Sequence, residues 1–229
     1  MGLLLYKQQT GAFLSNSIQE QIGASLEQWG SAQLLVPSSD AVLTVKRQLG
    51  AIQELSVGVN VSTFDEWMRD QWKLYGSSDR LLSNTLRKVF FQQILDGMSA
   101  DELGTLTTSK GTVELLSKLS PEYLTELDQI VVSGQLSAGQ MSACKVLERY
   151  KMLLEEKLYV EVCQCLDYLL QSIPTQGPAL IFSRVEDLSE ARLKFVQRLS
   201  QTRDVAFSLY VPEGPAGYAA EQQLELLGG

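Results

Sequence analysis

Residues 179–210, ALIFSRVEDLSEARLKFVQRLSQTRDVAFSLY, decide the fold. The apolar run Ala179-Leu180-Ile181-Phe182 predicts a strand, an amphipathic helix follows the acidic turn Glu186-Asp187, and a second apolar run from Val205 to Tyr210 predicts another strand. Strand, crossover helix and strand form the building unit of a parallel α/β sheet. An acidic turn at the end of the first strand is where a nucleotide-hydrolysing α/β protein holds its magnesium ion. Glu186 and Asp187 therefore have two readings: metal ligands, or acids at a helix start that favour the positive end of the helix dipole.

Working outward, the N-terminal third has the same rhythm. Leu3-Leu4-Leu5-Tyr6 reads as a buried strand, followed by the polar loop Lys7-Gln8-Gln9-Thr10-Gly11 and a helix over 14–29 with apolar positions at Leu14, Ile18, Ile22 and Leu26. A triphosphate loop at this place reads G-x-x-x-x-G-K-[ST], its amides cradling phosphates and its lysine reaching the terminal ones. Here only Gly11 is present, Ala12-Phe13 stand where Gly-Lys belongs, and Lys7 precedes the loop. A second strand over 33–36 ends at Pro37-Ser38-Ser39-Asp40, where Ser39 or Asp40 caps a helix running to about residue 49. A third strand over 57–61 leads to Thr63 and Glu66, whose T-x-x-E spacing is a capping box for a helix carrying Trp67 and Trp72.

From about residue 75 to 172 the strand signal gives way to helical periodicity: Leu82, Leu86, Val89, Phe90 and Gln93 in one helix, Val113, Leu115, Leu116 and Leu119 in the next. Pro121 suits the first turn of a third helix running to about residue 132. After a break at Ser133-Gly134 come helices over 137–158 and 160–170, and Pro174 to Pro178 lead back into strand. The expected organisation is a discontinuous α/β domain, 1–74 with 175–229, carrying a helical insertion over 75–174. Pro212-Glu213-Gly214-Pro215 precede a last helix over 216–227, and the closing Gly228-Gly229 suggests a fragment of a longer chain.

Composition excludes several functions. The 229 residues contain no histidine, which removes Ser-His-Asp and Cys-His catalysis and the commonest metal ligand. Cys144, Cys163 and Cys165 are odd in number and lack a paired CxxC spacing, so buried thiols are expected rather than disulfides or a zinc site. No apolar run approaches the roughly 20 residues of a membrane span, so no membrane partner is expected and the cytoplasm is the expected compartment. A net charge of -8 lacks the basic balance of a freestanding nucleic-acid binder, while leaving room for a local contact surface or a basic partner.

The ordered set of motifs resembles the N-terminal helicase-like region of the AddB/RexB-type subunits of bacterial ATP-dependent helicase-nucleases, whose fold is that of superfamily 1 helicases. Leu34-Leu35-Val36-Pro37-Ser38 looks like the family's apolar run, Pro, Ser/Thr motif, and Val59 to Trp67 is similar to its V-x-T-F-x-x-[WF] motif. Leu180 to Ser189 looks like its apolar run followed by D-G-F-x-D-L-[ST]. The resemblance implies a P-loop NTPase-like parallel sheet with a large helical insertion. It also implies that this copy is degenerate: the phosphate loop near Lys7 and Gly11 lacks its lysine, and the magnesium-binding aspartate falls on Ser183.

No catalytic residue, metal site or cofactor is therefore assigned. The resemblance implies a non-catalytic module of a DNA-repair helicase-nuclease subunit, working beside a catalytic partner subunit in double-strand-break processing. Pro37, Ser38, Thr63 and Phe64 become the candidates for contact with single-stranded DNA, through hydroxyls, helix amides and base stacking. Phe64 and Trp67, three apart on one helix face, also suit a protein core. Two alternatives stand beside this reading: an ATP- or GTP-binding domain with an unorthodox phosphate loop, and an acidic protein-interaction adaptor.

Overall fold

The computed structural model describes residues 2–8, 11–52, 55, 57–132, 136–186, 188–211 and 218–228. The chain divides into two compact units, Met1–Leu74 with Ser172–Gly229, and Tyr75–Gln171. In chain order the elements are β1 (Leu3–Gln8), α1 (Asn16–Trp29), β2 (Ala32–Leu35), α2 (Ser39–Ala51), β3 (Val59–Ser62) and α3 (Phe64–Tyr75). There follow β4 (Arg80–Leu81), α4 (Asn84–Asp96), α5 (Ala100–Leu103), α6 (Lys110–Tyr123), a 3₁₀ turn (Leu124–Glu126), α7 (Leu127–Val132), α8 (Ala138–Lys157), β5 (Tyr159–Val160) and α9 (Val162–Ser172). The chain returns to the first unit with β6 (Leu180–Ser183), α10 (Glu190–Ser200), β7 (Val205–Tyr210) and α11 (Tyr218–Gly228).

The first unit is α/β, built on a five-stranded sheet of order β1-β7-β6-β2-β3 in which every pairing is parallel. Alternation along the strands sends side chains to two faces, and each face is covered. On one, Leu34, Val61, Ile181 and Ala206 pack with Ile18 and Ile22 of α1 and Val42, Val45 and Leu49 of α2. On the other, Phe182 and Phe207, paired in register, stack with centroids 4.1 Å apart beneath Phe64 and Trp67 of α3 and Phe195 of α10. Fully burying each such ring contributes on the order of 1.5–3 kcal/mol, so this aromatic cluster accounts for much of the hold of α3 and α10 on the sheet. The connections leaving β2 and β6, which are neighbours, run in opposite directions across the sheet. Their carboxyl ends thus flank a topological switch point, where open α/β sheets place ligands.

Leu3 to Tyr6 read as a buried strand, but β1 pairs only with β7 and forms the sheet's edge, with Leu4 44% exposed. The third strand begins at Val59 rather than at residue 57. Gly58 has φ +87°, and a Cβ there would lie 2.7 Å from the Gly30 carbonyl oxygen, so the chain first has to turn tightly past the end of α1. Gly30 itself closes α1 in the left-handed conformation, φ +67°, its amide donating to the Leu26 carbonyl.

The second unit is helical, with a core drawn from α4, α6, α8 and the start of α9. The sequence pattern misplaces part of its faces: Val89 and Leu115, each 54% exposed, point outward, whereas Phe91 is fully buried and stacks on Tyr150 at 4.2 Å. Two strands escaped the sequence altogether, β4 and β5, because a two-residue parallel pairing has no periodicity to detect. Pro121 lies in the last turn of α6 rather than the first turn of a new helix. Its ring removes one helical hydrogen bond, a loss accommodated because α6 ends two residues later and tightens into the 3₁₀ turn. The breaks at Ser133-Gly134 and Pro212 to Pro215 fall outside the described residues.

Candidate functional site

The carboxyl ends of β1, β7 and β6 present a layer of buried polar side chains: Gln8, Ser208 and Ser183. Each is engaged by the protein's own groups. Gln8 Nε2 donates to Ser208 Oγ and, at 2.8 Å, to Ser15 Oγ at the head of α1. Ser183 Oγ donates to the Phe13 carbonyl at 2.6 Å. The position that the family resemblance assigns to a magnesium-binding aspartate is therefore a neutral hydroxyl, fully buried, tying β6 to the loop after β1.

Arg184, next along the chain, packs against the same loop. It adopts φ +58°, a left-handed backbone that a non-glycine residue rarely takes. Its Nη1 donates to the Gly11 carbonyl at 2.6 Å, and its guanidinium carbon sits 5.0 Å from the Phe13 ring centroid and 5.7 Å from that of Tyr210. A Cβ at Gly11 would come within 3.3 Å of Nη1, so the glycine admits the arginine's close approach. Where a phosphate loop presents a lysine outward to a ligand, this chain turns a cation inward against its own loop.

Glu186 does not lie in the first turn of a helix. Its carboxylate accepts the Tyr210 amide at 3.2 Å at the end of β7, and α10 starts only at Glu190, with Ser189 as N-cap. Asp187 lies outside the described residues, as do Gln9 and Thr10 of the loop; Lys7 is on β1, exposed and ahead of Gly11. Among the described residues no group of three His, Cys, Asp or Glu side chains is placed to hold a metal ion.

The candidates for DNA contact separate by burial. Pro37 and Ser38 are exposed at the end of β2, and Thr63 is half-buried at the end of β3. Ser38, rather than Ser39 or Asp40, is the N-cap of α2, its Oγ accepting the Ala41 amide at 3.2 Å. Thr63 and Glu66 form the reciprocal box that their spacing predicts: Thr63 Oγ1 accepts the Glu66 amide, and Glu66 Oε2 accepts the Thr63 amide at 3.0 Å. Phe64 is only 3% exposed, its ring among Trp67, Phe182 and Phe195, so stacking on a base is corrected to packing in the core. Arg192 lies over Phe64 at 5.3 Å and pairs with Asp65 at 2.5 Å, which neutralises one of the acids beside the candidate surface.

The densest buried polar cluster is in the helical unit, where Glu161 is 0% exposed. Its Oε1 accepts Arg87 Nε at 2.6 Å, Ser120 Oγ at 3.1 Å and Tyr150 Oη at 2.5 Å; its Oε2 accepts Arg87 Nη2 at 2.7 Å. Burial pulls the Arg87 guanidinium toward losing its proton, but the hydrogen bonds and charge of Glu161 outweigh it and hold the group above its ordinary value. Burial, reinforced by the neighbouring carboxylate, pushes the Tyr150 hydroxyl well up. This cluster links α4, α6 and α8 to Glu161, the residue between β5 and α9. A small cleft lined by Trp29, Gly177, Arg203 and Asp204 opens at the amino-terminal end of the sheet, opposite the candidate site.

The chain matches no protein-family model and no curated protein. Among the described residues no helix is long and apolar enough to cross a membrane. Of the residues at the candidate site, the sequence singled out Gly11, Ser183 and Glu186 but missed Gln8, Phe13, Arg184 and Tyr210. A positive φ at arginine leaves no trace in sequence, and Gln8 became visible only once β1 and β7 were known to be neighbours.

Proposed function

We propose that this chain is a degenerate, P-loop-like helicase module of the AddB/RexB type, without ATP hydrolysis of its own. It serves as scaffold and single-strand contact beside a catalytic helicase-nuclease subunit in double-strand-break processing. The observation that carries this reading is the state of the strand ends. The groups that would meet triphosphate and magnesium are Ser183 and Arg184, and both are tied to the loop at Gly11 and Phe13. A hard dication wants charged oxygen ligands, and a γ-phosphate wants an outward-facing cation; Ser183 is neutral, and the Arg184 guanidinium is engaged by its own loop. The parallel five-stranded sheet with helices on both faces is compatible with the fold that the motif order implies, with β1, the strand before the loop, at the sheet edge. Pro37, Ser38 and Thr63 at the ends of β2 and β3 are the surface proposed for the DNA backbone.

Titration calorimetry with ATP and magnesium tests the first half of the reading: no binding is expected, and low-micromolar affinity overturns it. Single-stranded DNA binding tests the second: weak, salt-sensitive binding that falls on substitution of Ser38 and Thr63 is expected. The acidic first turns, with Asp40, Asp65 and Glu66, favour a second reading as a protein-contact adaptor. Indifference to DNA at low salt decides for it.

A further inference from the structure

We propose that Arg184 is a built-in substitute for a ligand: an internal cation that holds residues 11–15, ahead of α1, against the strand ends, so that the shape of the strand-end surface does not depend on nucleotide. The inference rests on the proposed function but concerns a separate property, the ordering of residues 11–15.

Three independent features converge on this residue. First, its backbone is at φ +58°, a conformation that persists in a non-glycine residue only when the surroundings over-determine it. The strand ladder supplies part of that constraint, since the Arg184 amide still donates to the Ser208 carbonyl at 2.8 Å. Second, the side chain is gripped by the loop itself, through the Gly11 carbonyl and the Phe13 ring, and backed by Tyr210. Third, Arg184 Nε is buried with no hydrogen-bond partner among the described residues, an unfavourable state that is accepted in return for the contacts of the other end of the fork. Ser183 adds a second tether one residue earlier, to the Phe13 carbonyl. In a nucleotide-binding protein a loop at this place is ordered by the anion it binds. Here a carbonyl and an aromatic face point toward a guanidinium, the opposite polarity, so the loop is suited to being held by a positive group from within.

Hydrogen exchange of the intact chain tests this directly. Arg184→Ala is expected to speed exchange across residues 11–15 by at least about tenfold while leaving α2 and α3 unchanged. Arg184→Gly separates the clamp from the strain: glycine accepts φ +58° without cost, so this variant should melt higher than Arg184→Ala yet exchange as fast in the loop. Loop exchange at the wild-type rate in Arg184→Gly overturns the proposal, because the backbone alone would then account for the order. A slowing of exchange at 11–15 by magnesium-ATP in the wild-type chain overturns the claimed independence of nucleotide and, with it, the proposed loss of nucleotide binding. A fast loop in both variants together with silence toward ATP supports both.

Discussion

Arg87 and Glu161 meet fork to fork, with Nε to Oε1 at 2.6 Å and Nη2 to Oε2 at 2.7 Å, and the pair is sealed inside the helical unit at 6% and 0% exposure. Such a pair exacts a large desolvation cost and offsets it only while both members are present. Arg87→Met and Glu161→Leu should each destabilise the unit by about 3–5 kcal/mol, since each strands the other partner. The double variant Arg87→Met/Glu161→Leu should cost less than the sum of the matching single changes. Urea unfolding of the four proteins measures the coupling; single changes below about 1 kcal/mol would show that the pair is not a constraint on the fold.

Tyr150 makes the same cluster sensitive to alkali. Its folded hydroxyl is held above the ordinary tyrosine value by burial first and the Glu161 carboxylate second. Stability from this group is therefore complete below the unfolded value of about 10 and declines as pH rises beyond it, because only the unfolded chain then releases the proton. The phenolate absorbance of Tyr150 should appear together with unfolding, and Tyr150→Phe should flatten the alkaline decline while costing about 1.5–3 kcal/mol at neutral pH for the lost bond to a charged acceptor.

The thiols should be silent. Cys163 and Cys165 are buried at 4% and 0% exposure, and burial pushes the Cys165 thiol up to about 12. At pH 8 an aromatic disulfide reagent should label neither in the native protein and both after denaturation, since the thiolate is the reactive form. Prompt native labelling would mean that the α9 region opens locally.

At the end of β3, Thr63→Ala removes one half of a reciprocal cap and should cost about 1 kcal/mol, read as a shift in the urea midpoint. Glu66→Ala removes the other half and should cost a similar amount. If the caps also bear on DNA, the two substitutions should diverge there: Thr63→Ala weakens binding, whereas Glu66→Ala removes a negative charge and strengthens it at low salt.

Much of the α/β framework was legible because each element carries a local signal. The strand runs at 33–36 and 179–182, the T-x-x-E box at Thr63 and the helical spacing of Ile18 and Ile22 all lie within one turn or one strand. What escaped depends on neighbours distant in sequence. That β1 is an edge follows from the strand order, not from Leu3-Leu4-Leu5. The burial of Phe64 follows from Phe182 and Phe195 converging on it, and the pairing of Arg87 with Glu161 from four elements meeting. At the candidate site the sequence showed where the motifs of the resemblance go unmatched, at Gly11 and Ser183, but not which side chains pack there instead. Arg184 reads as an ordinary polar residue in a loop until its backbone angle and its contacts with Gly11 and Phe13 are seen.

The two-residue strands β4 and β5 have a consequence for how the helical unit is assembled. The Arg80 amide donates to the Leu158 carbonyl and the Leu82 amide to the Val160 carbonyl, so the incoming and outgoing segments of the insertion lie one strand spacing apart. The clasp is too small to stabilise much on its own, yet it turns a long open excursion into a loop with a closed neck. Lengthening or shortening the helices beyond the clasp leaves the neck where it is, which makes this the part of the chain best able to change in size without disturbing the strands on either side of it in sequence.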